Sequence, residues 1–276
     1  PRARPFAGVR LVAAFTLGSR GTASALPPPA AAPRPAPARA VDLRAREITD
    51  DGVWAKIGPG GAKVKLTLDP KLQRAAERLL SRSGAHEGAI VASDVRTGRL
   101  LAWASRGERD YVDSPFAPSA SLFKIVTASA LLAGGKANAG TRECYDGGGE
   151  HAIEPKELDA RGTVCMTLGE ALGHSINLIV ARLAKKYLTP ADLVRYAKEL
   201  GFDGEVPIDV PVGASDVSIP TDPFGMARAS AGFWNGHLKP LGALFAMQTI
   251  ANGGERVRLS LLDHGWPTPR ASAGRA

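Results

Sequence analysis

The sequence predicts an α/β (α+β) fold, in which an antiparallel sheet is flanked by a mostly helical subdomain. Two observations predict it. Short apolar runs separated by Gly-containing turns lie between residues 64 and 104, and helical patterns with their own start and stop signals follow from residue 121. With 276 residues, 44% of them hydrophobic and 22% charged, the chain can fill the core of one large domain or two small ones.

The first elements are a strand, a helix and a strand pair. Residues 64–68 have strand character, and Asp69-Pro70 then starts a helix, with Asp69 as N-cap and Pro70 at the first helical position. The runs 89–92 and 100–104, joined by a turn around residues 94–98, predict a hairpin. Helical spacing predicts one buried stripe on the helix, which consists of Leu72, Ala75, Ala76, Leu79 and Leu80.

The later part of the chain is predicted to be mostly helical. A helix over residues 121–132 comes first, and Thr167 to Glu170 form a capping box that starts the next. The other predicted elements are a helix over 177–187 with Leu178, Ala181 and Leu183 facing inward, a helix from Thr189-Pro190 to Gly201, a loop over 203–223, a last apolar helix over 240–252, and a tail from Arg256 without a strand pair.

The N-terminal residues predict export. Residues 1–10 carry arginines, residues 11–17 are apolar, and Ala23-Ser24-Ala25 is a small-residue pattern like a signal-peptidase site. The apolar run is far shorter than the ~20 residues that cross a bilayer, and a disordered Ala/Arg tail is the alternative. We therefore expect an export signal over residues 1–25, a Pro/Ala-rich linker over 26–40, and the folded domain over 41–276. Export predicts a periplasmic or cell-envelope location.

The net charge of +8 does not indicate a nucleic-acid-binding protein. Basic and acidic residues balance over residues 41–254, and no clustered basic stripe or aromatic interleaving occurs there. The excess lies at the ends of the chain, chiefly in the acid-free residues 1–40, whose arginines are Arg2, Arg4, Arg10, Arg20, Arg34 and Arg39.

Cysteine and histidine give no metal pattern, so we expect neither a metal nor a cofactor. Cys144 and Cys165 do not have zinc spacing, and in an exported protein they can pair as a disulfide. The five histidines, which are His86, His151, His174, His237 and His264, are expected to be surface or satisfied polar residues. His174 could instead line a cleft, and Trp234 is either a cleft wall or a core aromatic residue.

The segment Ser121-Leu122-Phe123-Lys124 is the first candidate for chemistry. A serine at a helix start lies beside unpaired backbone N–H groups, and a lysine three residues later lies on the same face. An amine with a lowered pKa can take the proton of the hydroxyl and so activate a weak nucleophile. The alternative for this pattern taken alone is a capping serine with a solvated lysine.

The second candidate is Ser175-Ile176-Asn177, at a junction between two helical stretches. A hydroxyl and an amide that point into a cleft can relay protons and hold a substrate amide. The alternative is a polar helix break whose capping groups are satisfied.

Several segments in one order then carry a family resemblance, which extends from about residue 64 to residue 254. They resemble the transpeptidase domain of the penicillin-binding proteins, whose serine–lysine chemistry the serine β-lactamases share. The segments are LTLDPKLQ at 66–73, GAIVA at 88–92 with TGRLLA at 97–102, PSASLFK at 118–124, TLGEAL at 167–172 ahead of SIN at 175–177, and the late helix from 240 to Asn-Gly-Gly at 252–254.

The resemblance implies a peptidoglycan DD-transpeptidase or DD-carboxypeptidase that acts on stem peptides ending in D-Ala-D-Ala and that binds β-lactam antibiotics. It implies that Ser121 is the acylated nucleophile and Lys124 its general base. Ser175 and Asn177 would pass the proton on and position the substrate. Other cell-wall synthesis proteins would be partners, and no cofactor is implied.

One family motif is missing from this sequence. The family's third motif is Lys-Thr-Gly or Lys-Ser-Gly on a late strand, and neither tripeptide occurs here; Arg96-Thr97-Gly98 precedes the nucleophile. We therefore expect a C-terminally incomplete domain without its late strands and with little or no activity of its own. A serine β-lactamase-like hydrolase and a catalytically dead or truncated binding module stay open as alternatives.

Overall fold

A computed structural model describes residues 41–58, 61–115, 117–146, 153–233, 236–263 and 273–275. The predicted export signal and linker, together with His151, Trp234 and His264, lie outside these residues. The helices are α1 Pro70–Arg82, α2 Phe123–Ala133, α3 Leu168–Gly173, α4 Asn177–Tyr187, α5 Pro190–Glu199, α6 Pro223–Ser230 and α7 Pro240–Ala251. The strands are β1 Val41–Ile48, β2 Val53–Ile57, β3 Lys63–Leu66, β4 Gly88–Ser93, β5 Leu100–Arg106, β6 Ala117–Pro118, β7 Arg142–Tyr145, β8 Val164–Thr167, β9 Asp216–Val217, β10 Gly236–Leu238, β11 Glu255–Arg256 and β12 Ala273–Arg275.

The strand part of the fold consists of an antiparallel sheet in the order β1-β2-β3 and the antiparallel hairpin β4-β5. Residues 259–263 run between the two. The Thr67 backbone N–H donates to Leu261 O, and the Leu100 N–H donates to Ser260 O. A common apolar core lies beneath, and it includes Val53, Leu66, Leu100, Trp103, Phe245, Leu259 and Leu261. The predicted sheet and hairpin are thus confirmed, and a segment distant in sequence joins them.

Helix α1 begins as predicted but turns a different face to the sheet. Asp69 accepts a hydrogen bond from the Leu72 N–H and caps the helix. The Gln73 side-chain amide is fully buried, where it donates to Trp103 O and accepts from the Trp103 N–H. This pair of hydrogen bonds fixes the rotation of the helix, so Leu72 and Leu79 are 40% and 61% exposed. The predicted buried stripe is therefore wrong at those two leucines.

The helical part has its own core around α2 and α4. In α4 the predicted inward residues Leu178, Ala181 and Leu183 are all buried. Thr167 and Glu170 form the predicted capping box of α3, and a second box of Thr189 and Asp192 starts α5. Helix α6 was not predicted, although Asp222 and the following proline give it an ordinary start. Helices α4 and α5 pack with α2 and α6 into one helical layer.

Smaller strand pairs complete the described fold. Strand β10 lies between β6 and β9, and it places residues 236–238 beside the residues that precede Ser121. Strand β11 pairs with β12, so the expectation of a tail without a strand pair is wrong. Strands β7 and β8 form a hairpin that the Cys144–Cys165 disulfide cross-links. In the ranges described above, no helix combines the length and the apolar character that a membrane span requires.

Candidate active site

Ser121 lies in a tight turn that leads directly into α2. Residues 120–122 form a single 3-10 turn and α2 begins at Phe123, so Ser121 lies two residues before the helix and not at its first position as predicted. The turn starts at Ala120 with φ of 46°, a left-handed conformation that residues other than glycine rarely adopt. Ser121 itself is exposed, whereas Lys124 is only 3% exposed. The helix thus presents the hydroxyl to solvent and keeps the amine beneath it.

Ser175 is the middle residue of the three-residue break between α3 and α4. His174 is the C-cap of α3, Ser175 has a left-handed φ of 56°, and Asn177 begins α4. Ser175 is exposed, and Asn177 is buried at the first position of α4. The predicted junction between two helical stretches is confirmed.

The structure brings Ser121, Lys124 and Ser175 into mutual contact. The Lys124 Nζ atom lies 2.9 Å from Ser121 Oγ, 2.8 Å from Ser175 Oγ and 2.8 Å from the Ser175 carbonyl oxygen. The two hydroxyl oxygens are 3.1 Å apart. Fifty-four residues separate the serines in the sequence, so only the tertiary fold assembles this triangle.

Burial lowers the pKa of Lys124 to about 8, because the ammonium ion loses hydration beneath the turn. The described contacts of Nζ are to three neutral oxygen atoms, and burial is the cause of the lowered pKa. At pH 7, one unit below this pKa, about a tenth of the molecules therefore hold Lys124 as a neutral amine. This is the protonation state that a general base needs.

The hydrogen-bond count around Lys124 shows how that neutral amine would be oriented. A neutral amine has two hydrogens and one lone pair, whereas Nζ has three oxygen neighbours. The Ser175 carbonyl can only accept, so it takes one hydrogen. One hydroxyl takes the other, and the remaining hydroxyl can donate to the lone pair. The Lys124 amine can therefore accept a proton from Ser121 Oγ and pass it on through the Ser175 hydroxyl.

The back of the nucleophile turn is packed by the end of α6, a contact that the sequence did not reveal. A Cβ atom on Gly232 would lie 1.9 Å from the Ala120 carbonyl oxygen, and Gly232 has φ of 97°. Glycine is therefore required there. The Thr127 hydroxyl donates to Ser230 O at 2.7 Å, with both residues fully buried, and so joins α2 to the same end of α6. The available sequence signal was a glycine just after an unrecognised helix.

The other candidate residues that the structure describes do not form a second reactive cluster. His86, His174 and His237 are exposed. Within the described part of the chain, no group of three or more His, Cys, Asp or Glu side chains could hold a metal ion. A cavity of about 150 Å³ includes Trp103, Asp110 and Asp113 in its lining but none of the four predicted site residues, so we do not assign the chemistry to it.

A comparison with protein-family models identifies the fold around this triangle. Residues 88–270, more than half of the chain, match the penicillin-binding protein transpeptidase domain. The chain belongs to this family. The matched range contains the Ser121 turn, α3, Ser175 and α4, so the resemblance noted in the sequence is confirmed. No curated protein sequence matches the chain.

Solved structures of penicillin-binding proteins share the fold of this transpeptidase domain. Penicillin-binding protein 2 of Pseudomonas aeruginosa, in complex with WCK 5153, is 21% identical with a TM-score of 0.63, and the match covers 77% of this chain and 57% of that one. Penicillin-binding protein A of Mycobacterium tuberculosis, as a ceftriaxone acyl-enzyme complex, is 23% identical with a TM-score of 0.61, over 75% and 54% of the two chains. The transpeptidase domain of Burkholderia pseudomallei penicillin-binding protein 3 is 19% identical with a TM-score of 0.62, over 76% and 64%.

The transpeptidase domain described here therefore spans between half and two thirds of the length of those three chains.

Proposed function

We propose that this penicillin-binding transpeptidase domain forms an acyl-enzyme at Ser121 with peptidoglycan stem peptides that end in D-Ala-D-Ala. The observation that carries the proposal is the position of the Lys124 amine. Its Nζ atom lies within 2.9 Å of both serine hydroxyl oxygens, and burial has lowered its pKa. A solvated lysine beside a capping serine would be exposed and would have an ordinary pKa.

In the proposed first half-reaction, neutral Lys124 takes the proton of Ser121 as Oγ attacks the penultimate D-alanine carbonyl. The C–O bond forms, the negative charge develops on the carbonyl oxygen, and the Ser121 backbone N–H at the helix start donates to it. Collapse of the tetrahedral intermediate breaks the C–N bond. Ser175 passes the proton from Lys124 to the departing amine of D-alanine, and Asn177, close by on α4, positions the substrate amide.

The second half-reaction repeats this proton path in reverse. The amine of another stem peptide loses a proton through Ser175 to Lys124 as it attacks the acyl-enzyme carbonyl. The new C–N bond forms the cross-link, the C–O bond to Ser121 breaks, and Lys124 returns the proton to Ser121 Oγ. Water in place of the amine would give a carboxypeptidase. The proposed partners are the peptidoglycan itself and other proteins of cell-wall synthesis.

β-Lactam antibiotics are the proposed inhibitors of the same site. One structural relative is described as a ceftriaxone acyl-enzyme complex, and a related structure of that protein as a penicillin G acyl-enzyme complex. A β-lactam presents a strained amide carbonyl to the same nucleophile, so its acyl-enzyme reports on the chemistry proposed for the peptide.

The test is labelled penicillin, followed by peptide mapping of the adduct. Because the sequence contains neither Lys-Thr-Gly nor Lys-Ser-Gly, we expect labelling to be slow, with one adduct on the peptide that contains Ser121, and we expect Ser121→Ala to abolish it. Ser83→Ala, at the end of α1 and outside the site, is the matched control and should label like wild type. An adduct elsewhere, or one that persists in Ser121→Ala, would refute the assignment. Release of the label within seconds would indicate a β-lactamase-like hydrolase instead.

We also propose that the chain is exported to the periplasm or cell envelope. The supporting observations are the basic and apolar residues 1–25 and the Cys144–Cys165 disulfide, because such bonds persist in oxidising compartments. Fractionation of cells that express the full chain should recover it outside the cytoplasm, with both cysteines protected from alkylation. Recovery in the cytoplasm with two free thiols would contradict the proposal.

A further inference from the structure

A buried ion pair lies close in sequence to the nucleophile turn, and the proposed reaction does not use it. Lys239 is fully buried between β10 and α7, and its Nζ atom lies 2.7 Å from Asp113 Oδ1. Nζ also donates to Gly213 O, and the Gly213 N–H donates to the Asp113 carboxylate at 3.1 Å. Because an ammonium ion without water must be neutralised by its neighbours, these groups form one interdependent unit.

This pair closes one end of a ladder that contains the residues entering the active site. From Asp113 the chain continues to β6, and from Lys239 backwards it continues along β10; Leu238 pairs with Ala117, and His237 pairs with Pro118. The Leu241 N–H also donates to Val112 O, beside the pair. Two strands of two and three residues are too short to hold a register by themselves. The ion pair lies at the end of this ladder, where it joins the two segments by their side chains.

The other end of the ladder is the close contact between Gly232 and Ala120. Asp113 is thus held against Lys239, and Ala120 is held against Gly232, with Ser121 immediately after Ala120. Ala120 has a positive φ, which costs free energy and persists only where the surroundings enforce it. A loose ladder would let this residue relax and would move the hydroxyl away from Lys124.

We infer that Asp113 and Lys239 form a positioning pair for the nucleophile, which holds the backbone before Ser121 in the conformation that acylation requires. The inference rests on the proposed function for its effect on rate. Neither side chain touches the reacting atoms in the described structure. Their effect would pass through β6, β10 and the Ala120 turn.

The first test measures the penicillin acylation rate of Lys239→Met, Asp113→Asn and the double variant, at temperatures well below each melting point. A displacement of about 1 Å can cost about 100-fold in rate, so we expect each single variant to acylate between about 10- and 100-fold more slowly. The double variant leaves no uncompensated charge and should be faster than Lys239→Met alone. Rate losses that simply multiply would overturn the inference.

Asp209→Asn is the matched control, because Asp209 also joins distant segments by accepting backbone hydrogen bonds, from Leu261 and Leu262. It should lower the melting temperature while keeping the acylation rate within about twofold of wild type. An equal rate loss in this control would mean that Lys239 matters only for stability, and the inference would fail.

The second readout is independent of catalysis. Hydrogen exchange followed by mass spectrometry should show faster exchange over residues 117–124 in Lys239→Met, including the Leu122 amide that bonds to Ser119 O, but not in Asp209→Asn. Unchanged exchange in Lys239→Met would refute the positioning role even where wild type is acylated. Increased exchange together with an unreactive wild type would refute the proposed function and leave the positioning role standing.

Discussion

At the scale of the single residue, Lys124 combines burial with uncharged hydrogen-bond partners. Its side chain is buried, yet its partners are two hydroxyls and a carbonyl rather than a carboxylate. A carboxylate would stabilise the ammonium ion and would raise the pKa of Lys124. Neutral oxygen atoms do not offset the desolvation of the ammonium ion in this way. The pKa of Lys124 therefore stays low, and the residue can act as a base near neutral pH.

The pH dependence of acylation follows from this environment. Because burial lowers the pKa of Lys124 to about 8, the fraction of molecules with the reactive neutral amine increases as the pH rises. We expect the rate of acylation by labelled penicillin to rise about tenfold per pH unit below that value and to level off above it. Stopped-flow or quench measurements between pH 6 and 9.5 would show the inflection.

The control for this pH profile is Lys124→Ala. General-base catalysis contributes about 100- to 10,000-fold, so the variant should lose that much rate and the inflection as well. A flat profile in wild type, or the same inflection in Lys124→Ala, would assign the base to another group.

The residues of the site were predictable to different degrees. The Ser121–Lys124 spacing indicates a shared helix face whatever surrounds it, because helical geometry is local. The contact of Ser175 with both residues depends on how α3 and α4 pack against α2, and its left-handed φ depends on that packing too. Neither property is written in a three-residue pattern. Gly232 escaped notice for the same reason, since its constraint comes from the carbonyl of Ala120.

At the scale of the element, the β7–β8 hairpin holds the approach to Ser175. Strand β8 runs directly into α3, a helix of six residues that is too short to be stable alone. The Cys144–Cys165 bond ties the two strands, and the buried Arg182 of α4 donates to Cys144 O. The disulfide thus lies beside the contact between this hairpin and the helix that follows Ser175.

We expect removal of the disulfide to destabilise the domain by about 3 kcal/mol, because a cross-link over 21 residues restricts the unfolded chain by about that amount. The measurement is urea unfolding of wild type with and without dithiothreitol. The variant that carries Cys144→Ser and Cys165→Ser should match reduced wild type and should not respond to the reductant. Equal stability of oxidised and reduced wild type would contradict the prediction.

The elements themselves were largely predictable where their signals are local. The capping residues Asp69, Thr167 and Thr189 bond to residues close to them in the sequence, and the helix starts predicted from them are confirmed. The buried face of α1 was not right, because it is decided by the Gln73 amide bonding to β5 rather than by the positions of the leucines. The Asp222-Pro223 start of α6 carried the same kind of signal as Asp69-Pro70 but was assigned to a loop.

At the scale of the whole molecule, residues 259–263 connect parts of the chain that lie far apart in sequence. Their backbone bonds to Lys65 and Thr67 at the end of β3, and to Gly98 and Leu100 at the start of β5. The Asp209 carboxylate accepts from Ser260 Oγ and from the Leu261 and Leu262 amides. Such long-range pairing leaves no local periodicity, so the sequence could predict the sheet and the hairpin but not the segment that joins them.

Asp209 should therefore be a determinant of global stability. Asp209→Ala leaves two partly buried backbone N–H groups without their acceptor, at a cost of about 1–3 kcal/mol for each one that water does not reach. It also removes one of the two acceptors of the Ser260 hydroxyl, which keeps Leu262 O. We expect a total loss of about 2–4 kcal/mol in urea unfolding. Hydrogen exchange should become faster at residues 64–68 and 98–102 on the two sides of the joining segment.

Asp192→Asn is the control for Asp209→Ala, because its carboxylate also accepts a backbone hydrogen bond but only from Thr189 at the start of its own helix. Its effect should stay within the first turn of α5. If Asp209→Ala changed exchange only near residue 209, the joining segment would hold without it, and the global role of this carboxylate would be excluded.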